Sequence, residues 1–278
     1  MLSSKALQRD YPVTFVFGKT TLHLSEQLSI EARQALELLI KKRRLQKLNR
    51  ASAPLASGKT PLFAKVQPLD TLKAKVRVSL GKPMRNGRFD WPLEELMNTH
   101  EAQRRGVEMP PLKGFGYTRN RLGLTQEYFI ITHLLDGYIN GAQWLDRNPD
   151  GVETFVLAAF ELLQSLSRKN ITHMDFWAGN IMISEQQQLK AIDFENCFAA
   201  QTSHFSETLG FQLGFLYRRD IYKLITEANY DRLVDDHIRQ FPDLSRQKFD
   251  EVYHASKHEH IGRKQRREIF LNGNLIIG

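Results

Sequence analysis

The chain has 278 residues, 41% of them hydrophobic and 25% charged, a composition that suits a globular protein with a sizeable core and excludes a mini-protein, a fibre or a wholly disordered chain. The 39 Lys and Arg against 31 Asp and Glu leave a formal charge of +8, which favours an anionic partner such as phosphate, nucleic acid or a lipid surface. In chain order, Val13 to Phe17 and Thr20 to Leu24 are β-rich runs around Gly18-Lys19, the signature of a hairpin. From Ser29 to about Leu48 apolar residues recur at helical spacing and end in Lys41-Lys42-Arg43-Arg44, cations where a helix dipole favours them. Pro54 to Gly58 is expected as a loop, Pro61 to Val66 as a buried strand carrying Lys65, and Ala74 to Leu80 as a second short strand. Pro92 opens a helix to Arg105, closed by Gly106 and Pro110-Pro111. Tyr128 to Leu135 is a buried strand, Val152 to Ser167 an apolar helix, and Ile181 to Ile183 and Leu189 to Ile192 short strands around a turn. Beyond Phe205 the pattern is of short helices, including Phe211 to Thr226 and Tyr230 to Gln240.

Cys197 is the only cysteine, so no internal disulfide forms and a cytoplasmic location is expected. Met1 to Pro12 holds no apolar signal core, and no run approaches the roughly 18 apolar residues of a membrane span. Gly18-Lys19-Thr20 and Gly58-Lys59-Thr60 each look like half a phosphate-binding loop. The first glycine of that motif would fall on Val13 or Ala53, and strands rather than helices follow, so both are rejected.

The chemistry concentrates in His173-Met174-Asp175-Phe176-Trp177-Ala178-Gly179-Asn180 and, after a turn, Ala191-Ile192-Asp193-Phe194. Phosphoryl transfer needs an acid that orients or deprotonates the attacking hydroxyl, a role open to Asp175. It also needs hard oxygen ligands for Mg²⁺ on the nucleotide phosphates, which Asn180 and Asp193 can supply. Loop capping by Asx side chains is the plainer reading of these three, and bracing of the loop that of His173. Lys65, in an apolar strand, calls for a charged partner unless it snorkels from a sheet edge. Glu95 is a candidate partner, with Glu94 and Glu101 on the same helix.

Over roughly residues 50 to 225 the chain resembles the protein kinase-like superfamily. SLSRKNITHMDFWAGNIMI is similar to the end of a kinase helix E running into the catalytic loop, and AIDF to the metal-binding DFG segment. ELMNTHEAQRRGVEMP, from Glu95, resembles the helix C of bacterial lipopolysaccharide core sugar kinases (the Kdo kinase family) and of RIO-type kinases. YRRDIYKLI is similar to a late RDL segment of that family, and Gly179-Asn180 with IDFE resembles choline and aminoglycoside kinases. The resemblance implies an α+β, bilobal kinase-like fold in a single domain over residues 1–278. An antiparallel-sheet N-lobe with helix C would cover about 1–130, and a small helical C-lobe about 136–278. It implies ATP and Mg²⁺ as cofactors, catalytic roles for Asp175, Lys65 and Asn180, and metal binding by Asn180 and Asp193. Nucleotide contacts fall to Lys65, Glu95, Asp193 and the hinge residues Thr132, His133 and Leu134. No GxGxxG loop precedes Lys65, Ser52 to Gly58 being the one candidate for that place. Met174 stands where regulated protein kinases carry arginine, Glu195 replaces the DFG glycine, and no APE motif follows. These departures point away from a phosphorylation-switched protein kinase.

The charge is unevenly spread. Residues 41–88 hold fourteen Lys or Arg against Asp70 alone, net +13, and leave the remainder at −5. The segment could meet an anionic membrane surface or sugar phosphate, contact nucleic acid, or merely solubilise its lobe. A second cluster, Arg263-Lys264-Gln265-Arg266-Arg267, precedes an apolar tail expected to pack on the domain. The expected activity is phosphoryl transfer to a hydroxyl acceptor, a lipopolysaccharide core sugar or glycolipid at the inner face of the cytoplasmic membrane. No stable nucleic-acid partner is expected. The alternatives are a small-molecule kinase of the choline or aminoglycoside type, and a non-catalytic kinase-fold scaffold or basic nucleic-acid-binding protein.

Overall fold

Gly18 adopts φ +55°, the left-handed turn conformation that closes a two-residue hairpin without a Cβ penalty. In the computed structural model, which describes residues 5–55, 61–82 and 89–275, this turn joins β1 (Val13–Phe17) to β2 (Thr20–Leu24) in the expected register, Phe17 opposite Thr20. The rejected Gly18-Lys19-Thr20 motif is thus a hairpin; residues 56–60, and with them the second such motif and the last three residues of the phosphate-loop candidate, lie outside the described residues, while Ser52 to Leu55 of that candidate are strand.

With β3 (Ala51–Leu55), β4 (Leu62–Pro68), β5 (Leu112–Arg119) and β6 (Thr125–His133), these strands build an antiparallel sheet in the order β1-β2-β5-β6-β4-β3. The expected loop at Pro54 is in part a strand. β3 lies at the sheet edge, where a residue without an N–H is tolerated. The expected strand Ala74 to Leu80 is helix α3 (Leu72–Leu80), following α1 (Lys5–Asp10) and α2 (Ile30–Leu45). Local capping outweighed the period-two alternation of Val76, Val78 and Leu80: Thr71 Oγ1 accepts the Ala74 N–H and Gly81 ends the helix at φ +60°.

The sheet is covered on both faces, which is why β6 reads as a continuous apolar run. Phe129 and Ile131 turn to α2, where Ala32, Leu36, Leu39 and Ile40 bury with Ala64 and Val66. Tyr128 and Ile130, one residue out of phase, turn to the other face with Val78 of α3 and Leu93 and Leu96 of α4 (Trp91–Arg104). Lys65, between Ala64 and Val66 and opposite Ile130, therefore faces α4.

The chain divides into two compact units, Met1–Gln103 with Pro110–Asp136, and Arg104–Met109 with Gly137–Gly278. The second holds α5 (Gly141–Arg147), α6 (Val152–Arg168), α7 (Phe205–Arg219), α8 (Glu227–Ile238), α9 (Arg246–His258) and α10 (Arg263–Asn272). The helix expected from Phe211 to Thr226 breaks at Arg219, and Thr226 instead caps α8 by accepting the Asn229 N–H. α7 packs closely on α9: a Cβ at Gly214 would lie 2.6 Å from the Tyr253 carbonyl oxygen. Two small ladders complete the unit. β7 (Tyr138–Asn140), β9 (Ile181–Ser184) and β10 (Leu189–Ala191) form one, and β8 (Thr172–His173) with β11 (Cys197–Phe198) the other. Among the described residues no helix is long and apolar enough to cross a membrane.

Candidate active site

In the first unit, Lys65 and Glu95 are 6% and 4% exposed, and Lys65 Nζ donates to Glu95 Oε1 at 2.5 Å. Two charges so deeply buried need each other, and the second carboxylate oxygen is also engaged, accepting from Gln67 Nε2 at 3.2 Å. Of the three glutamates on α4 considered from the sequence, Glu95 is the one paired with Lys65. Its position on the helix face shared with Leu96 and Thr99 follows from helical periodicity. The hinge residues follow at the end of β6, Thr132 and His133 within it and Leu134 just beyond. The His133 N–H donates to the Pro111 carbonyl at 2.8 Å and that of Leu134 to Pro61 at 2.9 Å, so both are committed within the unit. Thr132 sits opposite Phe63 and Leu112 in the sheet.

In the second unit, the loop between β8 and β9 is braced by His173, which is fully buried. Its Nε2 donates to the Ile192 carbonyl at 3.0 Å, and its Nδ1 accepts the Asp175 N–H at 3.3 Å. Burial pushes the imidazole below its ordinary 6.5, outweighing the Ile192 carbonyl, Asp175 and Asp193, which act to raise it. The ring is therefore neutral near pH 7, with a tautomer fixed by its two partners. One histidine thus ties the Asp175 backbone to the strand that leads to Asp193.

Asn180 Nδ2 donates to the Asp175 carbonyl at 2.9 Å and approaches Asp175 Oδ2 at 3.3 Å. This commits the amide nitrogen to the loop and presents Oδ1 as the oxygen that could meet a cation. Asp193 comes to the same end of the β9–β10 hairpin by register: Ala191 pairs with Ile181, and the Ile192 N–H donates to the Asn180 carbonyl at 3.0 Å. Asp193 has φ +64°, a sparsely populated conformation for a residue with a Cβ, and such strain tends to persist where it aims a functional group. Among the described residues no three His, Cys, Asp or Glu gather into a self-sufficient metal cage. One amide oxygen and one carboxylate fit Mg²⁺ instead, which keeps several waters and takes substrate phosphates as further ligands.

A helix-borne glutamate on a buried strand lysine, followed in the chain by a braced H-x-D-x₄-N loop and a hairpin that ends in a left-handed aspartate, decides the architecture. The fold is protein kinase-like. No protein-family model and no curated protein matches the chain. Among solved structures this kinase-like chain is similar to one described as WaaP in complex with acyl carrier protein, at 14% identity and a TM-score of 0.39, covering 69% of this chain and 86% of that one. It is also similar to one described as a divergent kinase lacking the glycine-rich loop that regulates membrane ultrastructure of the Toxoplasma parasitophorous vacuole. There the identity is 12% and the TM-score 0.45, with 82% of this chain and 90% of that one covered.

Two arginines at this kinase-like site have no counterpart in the sequence reading. Arg105 Nη1 donates to the Asn170 carbonyl at 2.7 Å and Nη2 to that of Ala199 at 3.0 Å, anchoring the segment that leads into β8. Arg266 of α10 donates to Asp175 Oδ1 at 2.5 Å. Both lie in basic runs, so their composition resembled solvated surface; the long sequence separation hid the contacts.

Proposed function

We propose that the chain is a Mg²⁺-dependent kinase that transfers the γ-phosphoryl group of ATP to a hydroxyl of a lipopolysaccharide core sugar or similar glycolipid. The observation that carries the reading is the Asp175–Asn180 loop held beside Asp193. The Asp175 carboxylate orients the acceptor hydroxyl and takes its proton. The acceptor oxygen bonds to the γ-phosphorus, the bond from that phosphorus to the bridging oxygen breaks, and ADP leaves with the electron pair. Mg²⁺ held by Asn180 and Asp193 would neutralise charge on the phosphates. In the first unit Lys65, paired with Glu95, would contact nucleotide phosphate. Catalysis is positioning and charge stabilisation. The test is thermal shift and label transfer from γ-labelled ATP to core oligosaccharides, choline, aminoglycosides and a generic protein. Saturating Mg-ATP is expected to stabilise the fold by about 2.7 kcal/mol at 100 times the Kd, and label to reach the phosphorylated core sugar. Label on choline or an aminoglycoside would redirect the acceptor assignment, and absence of both stabilisation and transfer would sink the kinase reading.

The acceptor class is supported by a cleft of about 590 Å³ in the first unit, where Lys19, Lys41, Arg43, Arg44, Lys75 and Arg119 converge from four segments. Among the described residues Glu37 and Glu127 are the only carboxylates lining it, and Glu127 is already held between Arg43 and Arg44. Such a surface attracts the headgroups of an anionic membrane, at about 1 kcal/mol per basic residue near it. Sedimentation with phosphatidylcholine vesicles, with and without phosphatidylglycerol, checks this. Binding is expected only to the anionic vesicles, lost in salt and in a Lys19→Glu/Lys41→Glu/Lys75→Glu variant; equal binding to both vesicle types would refute the contact.

A further inference from the structure

We infer that Arg266 is a positioning residue for Asp175, so that α10, remote in sequence, belongs to the catalytic machinery; this rests on the kinase reading above. Arg266 is 8% exposed. Its Nη1 donates to Asp175 Oδ1 at 2.5 Å and to the Met174 carbonyl at 3.3 Å, and its Nε to the Ile261 carbonyl at 3.0 Å. The guanidinium lies over the Phe215 ring, 4.2 Å from its centroid. Three hydrogen bonds and a ring face leave the planar fork one orientation.

The consequence falls on Asp175. Oδ1 is held by Arg266 and Oδ2 faces Asn180, while the Asp175 N–H is held by His173. A carboxylate in a loop would otherwise sample several rotamers. Here its two oxygens are engaged by Arg266 and Asn180 and its backbone by His173, and each oxygen keeps a further lone pair for the acceptor hydroxyl. Met174 stands beside Asp175 as an apolar residue, buried with Phe211, Phe215, Ile269 and Phe270, so the local sequence brings no cation and the distant helix supplies one.

α10 is itself fixed against the same region. Arg263 pairs with Glu195 at 2.5 Å, Phe270 stacks on Phe198 with ring centroids 3.7 Å apart, and Thr202 Oγ1 donates to the Phe270 carbonyl at 2.7 Å. One helix thus pins both the Asp175 loop and the segment after Asp193. Stability alone does not call for this arrangement, because a buried ion pair is commonly replaceable by apolar side chains of similar volume with no loss. An apolar pair at positions 175 and 266 would serve stability as well but could not orient an acceptor hydroxyl.

The test uses the full chain with Arg266→Met and Arg266→Lys, each monitored by thermal unfolding and by steady-state transfer to the best acceptor, with ATP hydrolysis as a second assay. Arg266→Met is expected to fold, to keep the KM for ATP within about twofold, and to lose about 100-fold in kcat, the scale of a misplaced catalytic group. Arg266→Lys keeps charge but not the fork and is expected to lose about tenfold. In an Asp175→Asn background, Arg266→Met should cost almost nothing more, since both substitutions act on one group. If Arg266→Met does not fold, Arg266→Lys decides. Wild-type kcat in every folded variant, with an active parent, overturns the positioning role and leaves the kinase reading intact. A parent that neither transfers phosphate nor hydrolyses ATP overturns both.

Discussion

Asp175→Asn is expected to lower kcat for phosphoryl transfer by about 10³-fold while leaving the KM for ATP nearly unchanged. The amide keeps the shape and one acceptor oxygen, so Arg266 retains a partner and the loop its hydrogen bond to His173. What it loses is the capacity to take the hydroxyl proton, a contribution of roughly 10²–10⁴ in general acid–base catalysis. Asp175→Ala should lose the same activity and stability as well, because it strands a buried guanidinium. Steady-state kinetics with thermal unfolding separates the two. An Asp175→Asn protein working at the parental rate would remove Asp175 from the reaction, and a rise in KM alone would make it a ground-state contact.

The second large effect belongs to Glu95. Glu95→Leu leaves Lys65 buried at 6% exposure without its carboxylate, and the expected cost is about 3–5 kcal/mol. For a chain of this size that is a drop in Tm of roughly 10 °C. Lys65→Met in the same background should recover most of it, since a well-packed apolar pair replaces a half-broken ionic one. Both variants lose phosphate contact, so activity should stay low in the double variant even as Tm returns. Recovery of activity with stability would mean that the pair only holds β4 to α4. A Glu95→Leu protein as stable as the parent would show Lys65 already satisfied elsewhere.

Much of this was legible in the sequence where short-range rules act alone. Gly18-Lys19 announced its hairpin, Pro92 its helix, and the spacing of Asp175 and Asn180 their shared loop, with Asp193 after the following hairpin. Reading failed where one rule overrode another. Val76, Val78 and Leu80 alternate like a strand, yet Thr71 and Gly81 cap a helix. β5 escaped notice because Gly114 and Gly116 lower strand propensity. The structure needs them bare: a Cβ at Gly114 would lie 2.5 Å from the His23 carbonyl oxygen of β2. Arg266 could not be read at all. Nothing local to α10 marks it, and the contact spans 91 residues.

The β9–β10 hairpin bears on how the site tolerates mutation. Asn180 and Asp193 are aligned at its open end by main-chain pairing, while the exposed turn Glu185 to Gln188 closes the other end. Because backbone groups make that alignment, side chains facing outward along the ladder, such as Met182 and Lys190, are free to drift. A deletion that slips the ladder by one residue is different, for it would reverse every side chain of one strand and separate the two oxygen donors at once. The alignment of Asn180 with Asp193 is thus robust to substitution and fragile to changes in length, and the turn is the place to insert a reporter peptide, provided the three residue pairs of the ladder keep their count.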